Sequence, residues 1–591
     1  YEATLHSYDW DSYDEFLDNL SFNWYINSYW TIKGQFSITK QFIKGEKFID
    51  PLSNKVSVLG STEDEHLAGD LYTDKGDDLR WNTNAFLYYT RTLKKHNLNF
   101  SLGVEASSTN TSSTSAHYRG FPSGEFHSLN YAAEIYKKPT KSENTTRLFS
   151  TIGSLNYTYD NIYLLDAAVR FDGSSEFGSN QKWAPFFSGG IGLNIHNYEF
   201  LKGNRYINQL KIRGSYGRTG KVNFAPYAAT TMYEAMFDEW YVTGYGVTLK
   251  ALGNRNLSWE KTDKFDVGFD FQFFNQRLTI TGDYFYEKTI DLINDVTLST
   301  TSGFSTYKNN LGEVENKGVE FQIRGDIVQT KNWNLALWGN LSHNKNKILK
   351  ISDSQKAYNE RVQKYYLEAE KYQNSVNAIS DSKYAIPIPQ YAEGGSITSI
   401  WGVQSLGIDP TTGKELFLNR DGSVSSTWQA SQQVVLGNTE PKVRGSFGFN
   451  LGYRNWTLFA SFLYECGGQA YNQTLVDNVE NADIAYSNVD LRVLTDRWQK
   501  PGDITQLKDI KDRNATTLPS SRFVQTNNLL NMSALTLSYD FERKWIQKMH
   551  MNMLRLEIST NDLFYISTVK RERGLDYPKA WDINFAVKVQ F

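Results

Sequence analysis

The sequence predicts an all-β fold, specifically a large antiparallel transmembrane β-barrel, on three observations. Apolar and polar residues alternate with period two in many segments, and the predicted connections alternate between short and long. Aromatic residues reach 15% although the mean hydropathy is −0.52. A membrane barrel needs apolar side chains only on its lipid-facing surface, and it concentrates aromatic residues at the two interfaces. A hydrophilic average with many aromatic residues is therefore typical of this fold.

The carboxyl-terminal segment shows the alternation most clearly. Residues Trp581 to Phe591 read WDINFAVKVQF, so large apolar side chains occupy every second position and small or polar ones occupy the others. One face of such a strand suits lipid and the other suits water. Phe591 ends the chain on an aromatic residue, which is typical of the last strand of an outer-membrane barrel.

The same period-two pattern predicts about 17 strands along the chain. Clear examples are the segments at 97–106, 265–273, 278–286 and 319–327. The predicted strands cover residues 20–30, 30–42, 81–92, 95–106, 148–158, 161–171, 185–197, 207–217, 260–272, 276–288, 314–328, 332–343, 441–453, 455–465, 529–541, 551–561 and 581–591.

The connections between these strands predict an orientation. Short connections are expected at 93–94, 159–160, 273–275, 329–331 and 454, and somewhat longer ones at 198–206 and 542–550. Long ones are expected at 43–80, 107–147, 172–184, 218–259, 289–313, 344–440, 466–528 and 562–580. Short turns on one rim and long loops on the other indicate a barrel with periplasmic turns and extracellular loops. Residues 1–19 would then end an extracellular loop, and residues 356–372 form an amphipathic helix that rests on the barrel rim.

Composition excludes several classes of function. The formal charge of −3 gives no reason to expect a nucleic-acid partner. No window of about 18 apolar residues predicts a transmembrane helix. Cys466 is the single cysteine, and the eight histidines show no metal-binding spacing. We therefore expect no metal site, no cofactor and no catalytic residue. The sequence Asp409 to Gly413 is interpreted as a tight turn, since it lacks the spaced carboxylates of a calcium loop.

Several motifs resemble the SusC/RagA family of TonB-dependent outer-membrane transporters. They occur in the family's order from about residue 150 to the end of the chain. The matching segments are Arg170 to Gly178 (RFDGSSEFG), Leu210 to Gly220, Asn256 to Lys261 (NLSWEK), Asn310 to Gly318, Ile400 to Gly413, Gly437 to Gly445, Gly467 with Gly468, Pro519 to Val524 (PSSRFV), and Thr560 to Phe564.

The resemblance implies an integral outer-membrane barrel of roughly 22 strands that an amino-terminal plug fills. On this expectation residues 1–591 form the carboxyl-terminal part of the barrel. The signal peptide, the amino-terminal extension, the plug and the first strands lie outside this chain. The resemblance also implies a SusD-like surface lipoprotein, coupling to the TonB complex through the missing region, contact with membrane lipid and lipopolysaccharide, and compatibility with a dimer of transporter–lipoprotein pairs.

Aromatic and basic residues in the predicted extracellular loops are the candidates for substrate binding, because flat rings stack on sugars and pack on peptide side chains. Packing between loops, or a place in the aromatic girdle of the membrane, is the alternative interpretation for each of them. Arg324, Arg444 and Arg555 lie on polar faces and are predicted to line the lumen. The candidate substrate-binding residues are Tyr118, Arg119, Phe121, Phe126, Trp240, Tyr241 and Tyr245.

The predicted function is active import of an oligomeric nutrient, either an oligosaccharide or a peptide, under a SusD-like lid and with energy from TonB. A barrel that serves as a structural or interaction scaffold without transport is the alternative. A soluble all-β carbohydrate-active enzyme is a third hypothesis, and it predicts extraction without detergent.

Overall fold

The computed structural model describes residues 6–53, 67–222, 224, 226–297, 306–310, 312–373, 385–482, 484, 489–512, 516–570 and 581–590. Phe591, predicted as the barrel terminus, lies outside the described residues. Within these ranges no helix combines the length and apolar character that a membrane span requires.

Strands dominate the described part of the chain, which contains 27 of them. They are β1 (Tyr8–Tyr25), β2 (Trp30–Ile49), β3 (Asp70–Leu93), β4 (His96–Arg119), β5 (Glu134–Tyr159), β6 (Tyr163–Ser174), β7 (Trp183–Asn194), β8 (Ile207–Lys221), β9 (Met232–Tyr241), β10 (Gly244–Ala251), β11 (Glu260–Phe273), β12 (Leu278–Ile290), β13 (Ile293–Thr297), β14 (Thr306–Asn310), β15 (Glu313–Gln329), β16 (Trp333–Lys350), β17 (Ser399–Gly402), β18 (Gln404–Ile408), β19 (Glu415–Leu418), β20 (Val424–Ser425), β21 (Val434–Asn438), β22 (Val443–Tyr453), β23 (Trp456–Tyr471), β24 (Val524–Asp540), β25 (Met553–Asn561), β26 (Tyr565–Ser567) and β27 (Ile583–Gln590).

The helices are short apart from the first. They are α1 (Asp353–Gln373), α2 (Gln473–Leu475), α3 (Arg492–Thr495) and α4 (Arg543–Ile546). Further single turns of helix cover Leu129–Tyr131, Ile195–Asn197, Ala430–Gln432, Val476–Glu480, Ile510–Asp512, Ser521–Phe523 and Gln547–Met549.

Eighteen of the described strands belong to one large sheet, and every main-sheet ladder whose register is resolved is antiparallel. The prediction of about 17 strands agrees with this sheet, because β25 and β26 are two pieces of one path along β24. Asp562, whose φ is 52°, lies at the break between these two pieces. The predicted short turns are confirmed at the same places, and Lys94, Asp160, Phe274 and Arg454 adopt positive φ there.

The chain divides into two compact units. The first comprises Tyr1–Asp160, Leu164–Gly189 and Gly220–Trp259, and the second comprises Asn161–Tyr163, Gly190–Thr219 and Glu260–Phe591. In the first unit β1 to β5 form a meander of successive hairpins. In the second unit the sheet runs through β11, β12, β15, β16, β22, β23 and β24 to β25 and β27.

Three predicted boundaries in the first unit are wrong. The first strand begins at Tyr8 rather than residue 20, so residues 8–19 are strand and not the end of a loop. Much of the predicted loops 43–80 and 107–147 is also strand, because β2 to β5 continue far beyond the alternating segments. Ser107 to Ser115 is polar at every position, so it shows no period-two pattern although it pairs with β3 throughout.

In the second unit, the connection between β16 and β22 has its own hydrophobic core. The predicted helix at 356–372 is confirmed as α1. The helix packs on a different surface from the predicted one. Val362, Tyr366 and Ala369 pack against Trp428 and Phe417 of the loop rather than against the barrel rim. The helix therefore stabilises a folded loop region.

Candidate functional site

Four of the candidate binding residues lie at the end of β4 and in the loop that follows it, and the structure divides them. Tyr118 and Arg119 are the last residues of β4. Phe121 is only 5% exposed and packs with Phe48 and Leu71, while Tyr118 lies against the same cluster. Both rings therefore pack on side chains of β2 and β3. Their direct contact with a ligand stays a prediction.

The other two residues of this group remain accessible. The Arg119 guanidinium lies 4.4 Å from the centre of the Tyr136 ring, a cation–π geometry. Phe126 is exposed and meets Tyr131 edge to face at 5.1 Å. Beside them His117 stacks on Tyr72 at 4.0 Å. The aromatic rings and the Arg119 cation are therefore presented partly by the end of β4 and partly by the loop after it. The sequence had predicted that all of them lie on a loop.

The β9–β10 hairpin contains the second candidate group. Tyr245 pairs with Trp240, and Gly244 pairs with Tyr241 beside the turn. Tyr241 and Tyr245 are largely exposed, and Val242 at the tip is fully exposed. The side chain of Trp240 lies outside the described part of the structure. Because directly paired residues share a face, Tyr245 lies on the face of Trp240 and Tyr241 lies on the opposite face, so each ring could stack on a flat ligand only from its own side.

The predicted lumen-lining arginines all occupy the sheet face opposite the apolar rows. Arg324 lies 3.5 Å from Asp326 along its own strand. Arg444 is exposed and stands beside Ser342 and Glu465 in the ladder. Arg555 forms a two-pronged pair with Asp540, at 2.6 and 2.8 Å. Lumen contact by these residues stays a prediction.

Sequence reasoning missed a denser charged group on the polar face of β8, β11 and β12. Arg213 lies 3.1 Å from Asp266, 3.3 Å from Asp270 and 2.6 Å from Asp283. Gly268 makes room for it, since an added Cβ would lie 2.0 Å from Asp283 and 2.9 Å from Arg213. The four charges come from three strands, so only the ladder register could reveal them. The signal that the sequence offered for this charged group was a glycine between carboxylates on the polar face of the strand.

Two of the family-like motifs form the base of one loop. Phe177 stacks on Trp259 at 4.4 Å. The backbone N–H of Gly178 donates to the carbonyl of Leu257 at 3.0 Å. A Cβ at Gly178 would lie 2.2 Å from the Arg255 carbonyl oxygen, so the close approach requires glycine. Phe177 and Gly178, together with Leu257 and Trp259, therefore position the loop after β6.

The predicted tight turn at Asp409 to Gly413 is confirmed. Gly413 has a φ of 71°, and its N–H donates to the Asp409 carbonyl at 2.8 Å. Hydrogen bonds from Thr412 and Thr411 lower the pKa of the Asp409 carboxyl below its ordinary value. Among the described residues no group of three or more His, Cys, Asp or Glu side chains is arranged to hold a metal ion.

Comparison with known proteins finds a family model and several relatives that match this chain. Residues 1–508 match the family model described as TonB dependent receptor-like, beta-barrel. TonB-dependent receptor P3 of Formosa agariphila is 28% identical over 502 residues, which are 84% of this chain and 48% of that protein. TonB-dependent receptor SusC of Bacteroides thetaiotaomicron is 25% identical over 535 residues, or 86% and 50% of the two chains. The chain spans about half the length of these curated relatives.

Solved structures show the same fold. The RagAB peptide importer in its open-open state superposes with a TM-score of 0.82 at 20% sequence identity. That likeness covers 100% of this chain and 62% of the other. The RagAB peptide transporter gives a TM-score of 0.79, also at 20% identity, over 96% and 59% of the two chains.

Proposed function

Because this chain belongs to the TonB-dependent receptor β-barrel family, we propose that it forms the wall and extracellular loops of an importer in the bacterial outer membrane. The importer takes up an oligomeric nutrient, a glycan or a peptide, with energy supplied through TonB. A SusD-like lipoprotein closes the extracellular side. This chain performs no covalent chemistry.

The observation that carries the proposal is an apolar band of limited height on one face of the sheet. In β4 the outward positions from Leu98 to Ala106 are apolar, and their ladder partners include Leu87 and Tyr89 of β3 and Phe149 and Leu155 of β5. From Ser108 to Thr114 the same face of β4 is polar. This length matches the roughly 9–11 residues that a tilted strand needs to cross the hydrocarbon core. The strands therefore have one segment suited to lipid and a longer one suited to water.

Aromatic side chains at the short-turn end support the same orientation. In the second unit Trp333 meets Tyr453 at 4.3 Å, and Trp456 meets Tyr539 at 4.8 Å. All four lie at the ends of strands beside short connections. Aromatic rings with one apolar and one polar edge are favoured at the membrane–water interface. We assign this row to the periplasmic interface.

The extracellular segments supply the capture surface in this proposal. Strands β3, β4 and β5 continue for more than ten residues beyond the apolar band and raise Arg119, Phe126 and Tyr136 above it. The β9–β10 hairpin presents Tyr241 and Tyr245. A ligand would be held against these rings beneath the lipoprotein, and displacement of the plug would then open the path inward.

Growth of cells on defined nutrients tests the proposal. The gene is deleted and then restored as the full-length protein, and growth is followed on a panel of oligosaccharides and a panel of peptides as sole nutrient. Loss of growth on one nutrient, with recovery on restoration, is the expected result. Unchanged growth on every nutrient that the parent strain uses would indicate a scaffold without transport.

A further inference from the structure

The motif Pro519 to Val524, which has no role in the wall or the capture surface, lies where the extracellular loops meet the start of β24. Ser520 forms a parallel bridge with Val403. The N–H of Val403 donates to the Pro519 carbonyl at 3.0 Å, and the N–H of Ser521 donates to the Val403 carbonyl at 3.1 Å. Segments that are more than a hundred residues apart in the chain are thus joined at this point.

Arg522 is the centre of this junction. Its guanidinium lies 2.8 Å from the Glu415 carboxylate and 2.6 Å from the Glu480 carboxylate. A third hydrogen bond runs to the carbonyl of Gln506 at 2.6 Å. The side chains of Arg522, Glu415 and Glu480 are only 6%, 7% and 0% exposed. A single buried cation therefore binds three separate loop segments.

The two carboxylates belong to different hydrophobic clusters. Glu415 lies in β19 beside Phe417, which packs with α1 and Trp428 in the first cluster. Glu480 follows Val479, which packs in the second cluster with Phe523. Each cluster has its own apolar contacts. Leu518 and Phe523, which flank Arg522, belong to the first and the second cluster respectively, so the ionic group lies between two packed modules.

Further hydrogen bonds fix the carboxylates in place. The Ser520 hydroxyl donates to Glu415 at 2.7 Å, and the Thr517 hydroxyl donates to Glu480 at 3.3 Å. Burial alone would raise the pKa of Glu480, but the charge and hydrogen bond of Arg522 outweigh it, so this pKa lies below its ordinary value. If Arg522 alone were removed, two buried carboxylates would lose their shared cation, which is strongly destabilising.

We propose that Arg522, Glu415 and Glu480 form an ionic clamp that holds the 404–418 and 473–512 loops on the start of β24. Arg522 is a positioning residue: it fixes the relation of the two loop modules without contributing to the barrel wall. The further claim that this fixed relation favours ligand capture rests on the proposed import function. The clamp itself does not depend on it.

Three variants of the full-length transporter test the clamp. Arg522→Met leaves both carboxylates unpaired, and Arg522→Met with Glu415→Gln and Glu480→Gln removes all three charges. Arg361→Met, an exposed arginine on α1 of the same loop region, is the matched control. Barrel assembly is followed by heat-modifiable migration in detergent, and loop folding by the rate at which proteinase K cleaves between residues 404 and 512 on intact cells.

The clamp predicts that Arg522→Met keeps heat-modifiable migration and is cleaved at least about tenfold faster than wild type. The triple variant should regain most of the protection, because it removes both buried carboxylates together with the cation that they share. Arg361→Met should behave as wild type. Wild-type cleavage of Arg522→Met, a triple variant as sensitive as the single one, or loss of barrel assembly would each overturn the clamp. None of these outcomes depends on transport, so a failure of the import proposal is detected separately by growth.

Discussion

Arg497 of the loop region combines deep burial with several hydrogen bonds. Arg497 is 4% exposed, and its guanidinium donates to the carbonyls of Val493, Lys508, Val479 and Glu480 at 2.6 to 3.2 Å. A buried charge without such partners would be very costly. These contacts join Arg497 to backbone carbonyls that lie 4 to 18 residues away, so they hold the backbone around Val479, Val493 and Lys508 together.

The lowered pKa of Glu480 predicts that acid weakens the loop region. A carboxyl whose pKa is lower in the folded state stabilises it fully above the ordinary value of 4.5, and the contribution is lost as pH falls below that value. We expect proteinase resistance of residues 404–512 to decrease between about pH 5 and pH 3 in wild type. The triple neutral variant should show a much flatter profile. The charged or titratable groups around Glu480 are Arg522, Lys508, Arg497, Glu415 and Tyr471.

Gly178 provides a second test at the scale of one residue. Gly178→Ala places a methyl group against the Arg255 backbone, and overpacking of this kind costs about 1–3 kcal/mol. The loop at 174–182 should then exchange its amide hydrogens faster, as measured by hydrogen–deuterium exchange. Gly189→Ala is the control, since its nearest new contact is an ordinary 3.9 Å. Equal amide exchange of this loop in the two variants would argue against the close approach of Gly178 to the Arg255 backbone.

Single elements differ in how far the sequence determines them. The bounds of β11, β12 and β15 are close to the predicted ones. These strands alternate with period two because one face suits lipid and the other suits water. The upper halves of β3, β4 and β5 escaped prediction because both of their faces meet water. The charged group around Arg213 escaped it because strand register is not visible in one sequence.

Helix α1 is expected to depend on one of its faces. Tyr366 is buried, contacts Trp428 at 5.5 Å and donates from its hydroxyl to the Ile386 carbonyl at 2.6 Å. Tyr366→Ala should destabilise the loop region by about 3–5 kcal/mol, as for other large aromatic truncations. The neighbouring Leu367 is 43% exposed, so Leu367→Ala should change little. Hydrogen exchange across residues 400–430 distinguishes the two variants. Equal protection of this segment in both variants would contradict the packing of Tyr366 against Trp428.

The last strand offers a test of which sheet face meets lipid. Val587 lies on the apolar face of β27 and pairs with Leu556, whereas Ala586 lies on the polar face beside Glu557. Val587→Arg should cost about 2–4 kcal/mol if it lies near the bilayer midplane and should lower the fraction of heat-modifiable barrel. Ala586→Arg should assemble normally. Equal assembly of both variants would contradict the assigned faces.

At the scale of the whole molecule, the proposed function assigns the apolar band to lipid and the folded connections between strands to the extracellular side. The family and the fold follow from the sequence match and the large antiparallel sheet. The import function rests on the band, the aromatic row and the exposed rings of β9–β10. The identity of the nutrient is not encoded in these features, because flat aromatic faces serve sugars and peptides equally.

Uptake measured with and without energy coupling tests the central claim most directly. Cells carrying the full-length protein receive the radiolabelled form of the nutrient found in the growth panel, and the same cells are compared after deletion of tonB or addition of a protonophore. The proposed function predicts that surface binding persists while accumulation stops in both conditions. Accumulation that continues without TonB and without a proton gradient would contradict active import.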